Sequence, residues 1–128
     1  MFSFSRGWLW VLALAAMIGF ASGQSRVASP EIAEFDKVAH FFVYGLLATL
    51  VARNLPVSRR VWLAILLVSL FGASDEWHQS FTPGRSATVA DWVADTLGAA
   101  LAAAAYAGWA GYRGLLERPM RRIAKEPD

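Results

Sequence analysis

The sequence predicts an all-α fold, a small transmembrane bundle of four helices, and three observations carry that prediction. More than half of the 128 residues are apolar and only 17% are charged, a balance unlike that of soluble globules. Uncharged runs from Gly7 to Ser25, Val61 to Ser74 and Trp92 to Tyr112 (broken by Asp95), together with the His40-containing run from Val38 to Ala52, approach or reach the roughly 20 residues a spanning helix needs. The basic residues flank these runs asymmetrically. Arg6, Arg53, Arg59, Arg60, Arg113, Arg118, Arg121, Arg122 and Lys125 fall on one side, while only Arg26, Lys37 and Arg85 fall on the other. By the positive-inside rule both termini are cytoplasmic, and the expected location is a bacterial inner membrane.

The first segment, about Trp8 to Ala21, ends in a small and polar stretch where Gly23 and then Pro30 discourage helix. Two readings of it stand. It is a retained helix, or it is a signal peptide cleaved after Ala21-Ser22-Gly23, which leaves three helices. The second segment starts near Asp36 and runs to Arg53, where Asn54 and Pro56 stop it. The third starts near Arg60 and reaches a full span only by extending to about Gln79 or Ser80, which draws Asp75 and Glu76 below the headgroups.

Thr82-Pro83-Gly84 signals a tight turn. Ser86 or Thr88 then caps the fourth segment, which runs to about Tyr112. Ala90, Ala94, Gly98 and Ala102 form a stripe of small residues that lets helix backbones approach closely and makes this helix central. The chain thus divides into a first helix or signal anchor over 1–23, a three-helix core over 35–112, and a basic tail over 113–128 attracted to anionic lipid. Trp8, Trp10, Trp62, Trp77, Trp92, Trp109 and Tyr112 lie near predicted helix ends, as interfacial anchors do.

With no cysteine, disulfides, thiol nucleophiles and thiolate metal sites are excluded. The net charge of +2 comes without any nucleic-acid motif, so nucleic acid is not an expected partner; membrane lipid is. The remaining acids and histidines are not scattered. Asp36, Asp75, Glu76, Asp91 and Asp95, five of the ten acidic residues, fall with both histidines at one predicted end of the bundle. Only Lys37 and Arg85 accompany them, so mutual pairing does not neutralise the group if it is ionised. Protonated carboxyls, charged histidines, a metal cation or water must meet the surplus.

Helical spacing sorts these residues. Asp36, His40 and Tyr44 share a face, as do Asp75 and Gln79, with His78 one turn from Asp75, and as do Asp91 and Asp95. One reading makes Asp36, His40 and Tyr44 an acid/base relay; the other makes Asp36 a helix N-terminal charge and His40 an interhelical hydrogen-bonder. Asp75 and Glu76 cannot share one face, so only one need point inward, and Glu76 has Arg85 as a candidate partner across the turn. His78 and Gln79 either complete a polar pocket or sit in the interface. Thr88-x-x-Asp91 fits a capping box, whereas Asp95 lies one turn deeper without that explanation. Two histidines and several carboxylates suit a divalent ion, yet there is no HExxH or similar spacing and the ligands would have to converge from three helices. No metal site is therefore assigned, and the cofactor is unknown.

These motifs, Asp36-Lys37-x-x-His40-Phe41 with Tyr44, Asp75-Glu76-x-His78-Gln79 with Phe81, Pro83, Gly84 and Arg85, and Asp91 with Asp95 and Gly98, resemble the VanZ-like membrane proteins. The likeness covers about Phe35 to Ala103. At the position of Asp95 the family pattern commonly has Asn. The resemblance implies a cell-envelope membrane protein, with one family member linked to teicoplanin resistance, and it brings no established reaction, substrate or cofactor. The expected function is an outward-facing polar pocket that binds or modifies a lipid-linked or peptidoglycan-related molecule. For an enzyme, His40 with Asp36 is the expected base, Asp75 or Glu76 the acid, Asp95 a further catalytic residue, and Arg85 the clamp on an anionic group. Tyr44, His78, Gln79 and Asp91 are the expected binding residues. The alternatives are a non-catalytic binder or small transporter, and a structural polar network.

Overall fold

The computed structural model describes residues 5–24 and 33–123, with side chains over 5–24 and 37–117. Five helices follow one another, and no strand occurs among the described residues: α1 (Arg6–Ser22), α2 (Ala33–Arg53), α3 (Arg60–Gln79), α4 (Val89–Gly108) and α5 (Ala110–Ile123). The runs read from sequence and helices α1 to α4 agree to within a few residues at most ends, because apolar stretches bounded by Gly, Pro and charged residues leave few places to start or stop. Among the described residues no helix is long and apolar enough to cross a membrane. The acids grouped at the ends of α3 and α4 interrupt the apolar stretches there.

α4 is central. It packs most extensively on α2 and then on α3, while α1 lies against α2 and α3. Its close approach to α2 depends on glycine. A methyl group at Gly98 would run into the backbone carbonyl of Phe41, and one at Gly45 would lie 3.1 Å from the Gly98 carbonyl oxygen. The buried face is Asp91, Asp95, Gly98, Ala99, Ala103 and Tyr106, and Ala90 is exposed. The interface is therefore turned from the expected stripe, because Asp91 and Asp95 face inward along with the small residues.

The fourth segment is shorter than predicted. Trp109 adopts an extended conformation that ends α4, and the chain resumes as α5 over most of what the sequence presents as a tail. The Arg113 guanidinium donates to the Ala107 carbonyl at 2.6 Å, satisfying one of the carbonyls a helix end leaves without partners. The Tyr106 hydroxyl donates to Glu117 at 3.1 Å. Tyr112, expected as an interfacial anchor, instead shares a 2.9 Å hydrogen bond with the buried Thr49 of α2. At the other end of the bundle, Thr82 to Arg85 form a turn closed by the Arg85 amide and the Thr82 carbonyl at 3.2 Å. Gly84 there has a φ of 79°, a conformation other residues rarely adopt.

Candidate functional site

The C-terminal ends of α1 and α3 meet the N-terminal halves of α2 and α4, which places the predicted acid-rich motifs together. Asp75, Glu76 and Asp95 are all buried, at 5%, 7% and 0% exposure. The first two were expected to compete for one inward direction. Both point inward because α3 is flanked on two sides: Asp75 meets α1 and α2, while Glu76 meets the start of α4.

Asp75 is fully bonded. Its Oδ2 accepts from the Tyr44 hydroxyl at 2.9 Å and from Gln79 Nε2 at 3.1 Å. The Ser22 hydroxyl lies 2.5 Å from its Oδ1 and 2.8 Å from the Ile18 carbonyl, and donates its single proton to one at a time. Ser22 was missed in the sequence, where it stood only as part of a small polar stretch after the first segment.

Asp95 and Glu76 are differently placed. His40 Nδ1 donates to Asp95 Oδ1 at 2.8 Å, so the histidine of α2 is held by a carboxylate of α4. Two members of the expected relay along α2, His40 and Tyr44, stack with ring centroids 5.7 Å apart and bond different acids on other helices, Asp95 and Asp75. Glu76 Oε2 accepts from the Thr88 amide at 3.1 Å, the N-terminal donor of α4 being a favoured anion partner. Glu76 Oε1 and Asp95 Oδ2 are buried without a hydrogen-bond partner. Asp95 reaches this position over Gly72, where an added methyl would lie 3.0 Å from its Oδ2.

Other expectations are corrected by the geometry. Arg85 does not pair with Glu76. Its Nη2 donates to the Ala21 carbonyl at 2.8 Å and its Nε to the Gln24 carbonyl at 3.2 Å, closing the end of α1. Those carbonyls attract a cation because a helix C-terminus carries partial negative charge. His78 is exposed, lies beside Gly23 at the end of α1, and is not among the residues that line the cavity. Asp91 forms one half of the capping box: the Thr88 hydroxyl accepts from the Asp91 amide at 3.2 Å and donates to its carboxylate at 2.7 Å, while the Thr88 amide, the donor of the other half, goes to Glu76 instead. The side chain of Asp36 lies outside the described residues.

A cavity of about 120 Å³ adjoins the cluster, lined by residues that include Ser22, His40, Tyr44, Gln79 and Arg85. Of the predicted residues, the structure thus brings His40, Tyr44, Gln79 and Arg85 to one hollow, and packs Glu76 and Asp95 against His40 behind it. One ligand atom from each of His40, Glu76 and Asp95 lies within 4.8 Å of the other two. The convergence from three helices that spacing alone made doubtful is present.

Fold and site together define a class: a helical bundle holding a histidine and several carboxylates at one buried end. The chain belongs to the VanZ/LLP1 family, whose family model matches residues 4–110. The match takes in α1 as well as the three helices that carry the motifs. No curated protein and no solved structure matches the chain.

Proposed function

We propose that the chain is an integral membrane protein of the cell envelope with cytoplasmic termini, whose polar pocket faces outward and binds or modifies a lipid-linked or other envelope-associated molecule. Embedding is supported by the surface. Leu12, Phe20, Phe42, Leu70, Leu97 and Leu101, on four different helices, are all more than half exposed, and apolar exposure of this extent suits a partner phase. The averaged polarity of α3 and α4 counts Asp75, Glu76 and Asp95, which are buried between the helices. α5, with apolar and charged residues segregated along it, suits the interface on the arginine-rich side.

The observation that carries the reading is the His40–Asp95 pair beside Glu76. A carboxylate that fixes an imidazole by one nitrogen sets its orientation and raises its basicity, which is what a general base requires. Here Asp95 takes the role the sequence suggested for Asp36, and Glu76 is the nearer acid. Asp75, with its oxygens occupied by Ser22, Tyr44 and Gln79, holds the frame of the pocket. The Arg85 guanidinium, spent in part on α1, borders the cavity and offers its remaining donors to an anionic group. Below Gly98 the buried face of α4 is Ala99, Ala103 and Tyr106, with no acidic or basic residue among them to continue a path toward the other side, which disfavours a transporter.

The family resemblance supplies the phenotype to test. Cells expressing the chain are challenged with teicoplanin, and the fractionated membranes are washed with alkaline carbonate. The chain is expected to stay in the membrane pellet and protect the cells, and His40→Ala to abolish protection at equal abundance. Full protection by His40→Ala removes the proposed role of the site.

A further inference from the structure

Glu76 Oε1 and Asp95 Oδ2 are buried acceptors with no donor, on side chains that are 7% and 0% exposed. Unmatched polar atoms at this depth are uncommon and destabilising, and each calls for an explanation such as a catalytic role, a water or an ion. No lysine or arginine bonds to either carboxylate among the described residues, and the nearest cationic candidate is the His40 ring at Asp95 Oδ1. Gly72 keeps the space open, since a side chain there would press on Asp95 Oδ2.

The three groups are close to the spacing of ligands around one ion. Their ligand atoms lie within 4.8 Å of one another, whereas bonds of about 2.0 to 2.2 Å place ligand atoms roughly 3 to 4 Å apart. We propose that His40, Glu76 and Asp95 bind one divalent transition-metal ion of the zinc type. Its charge matches the two carboxylates where, among the described residues, no arginine or lysine does so. The imidazole favours such an ion over magnesium or calcium, which prefer all-oxygen surroundings. Three protein ligands leave a coordination position open, as catalytic rather than structural sites do, and His40 also lines the cavity.

The inference rests on the functional reading of the same site and recasts its chemistry: with the ion bound, His40 and Asp95 would serve as ligands, and a metal-bound water would supply the base. The test uses the full chain in detergent micelles, stripped with a chelator and titrated with Zn²⁺ against a chromophoric competitor. One ion per chain is expected, with binding at least about tenfold weaker in Asp95→Asn and Glu76→Gln, unchanged in Asp91→Asn, and not displaced by excess Mg²⁺. Absent or substoichiometric binding by the unaltered chain overturns the proposal, as does undiminished binding by both Asp95→Asn and Glu76→Gln with native helical circular dichroism. The unaltered chain decides the matter even where a variant does not fold. His40-dependent protection against teicoplanin without zinc binding sinks the metal alone; zinc binding without His40-dependent protection sinks the functional reading alone.

Discussion

Asp75 and Asp95 are both buried carboxylates bonded to a ring of α2, and they differ in what surrounds them. Asp75 has donors from α1, α2 and its own helix on its two oxygens. Asp95 has His40 on one oxygen and nothing on the other. A carboxylate with donors on both oxygens locks helices together, and removing it leaves several donors stranded. One that keeps an acceptor vacant in the interior is retained at a cost to stability, and such a cost is the signature of a site that does something else.

The largest effect that separates the two is expected at Asp75. Asp75→Ala strands the Tyr44 hydroxyl and the Gln79 amide and releases Ser22, so the thermal unfolding midpoint in micelles falls by the equivalent of about 3 kcal/mol. A loss below about 1 kcal/mol would make Asp75 a second functional acid rather than a strut.

Gly72→Ala comes next. Its methyl would meet Asp95 Oδ2 at 3.0 Å and the Tyr44 ring at 3.4 Å, so it loads both carboxylate environments at once. About 1 to 2 kcal/mol of stability is expected to go, and His40-dependent protection with it. Unchanged melting would mean that α3 and α4 have slack at this crossing.

Ser22→Ala removes one donor to Asp75 and no part of the His40 pair. Roughly 1 kcal/mol is the expected loss, read from the same melt, with protection retained. Protection lost at near-normal stability would move Ser22 into the site itself.

These contrasts were only partly visible in the chain itself. The helices were legible because uncharged runs between Arg, Pro and Gly have little freedom in where they end, and the acid-rich end was legible because the three motifs alternate in direction along a folded bundle. Periodicity fixes which residues of one helix share a face, but not which neighbour that face meets. Hence Asp75 and Glu76 looked like competitors until α3 proved to be flanked on both sides. Arg85 looked like a partner for an acid because its real acceptors, the Ala21 and Gln24 carbonyls, are backbone groups with no sequence signature. The same limit hid Ser22, and it hid α5, whose start depends on the extended Trp109 rather than on a Pro or Gly stop. The His40–Glu76–Asp95 grouping draws one residue from each of three helices, so no spacing within the chain announces it.

The most direct measurement is a paired one on Asp95→Asn, taking the unfolding midpoint in micelles and the protection against teicoplanin from the same variant. The amide keeps an acceptor for His40 Nδ1 and puts an N–H₂ where the unpartnered oxygen stood, so the midpoint is expected to change by less than about 1 kcal/mol while protection disappears. A midpoint that drops steeply with protection intact would show that Asp95 is a structural acid like Asp75, and would contradict the account.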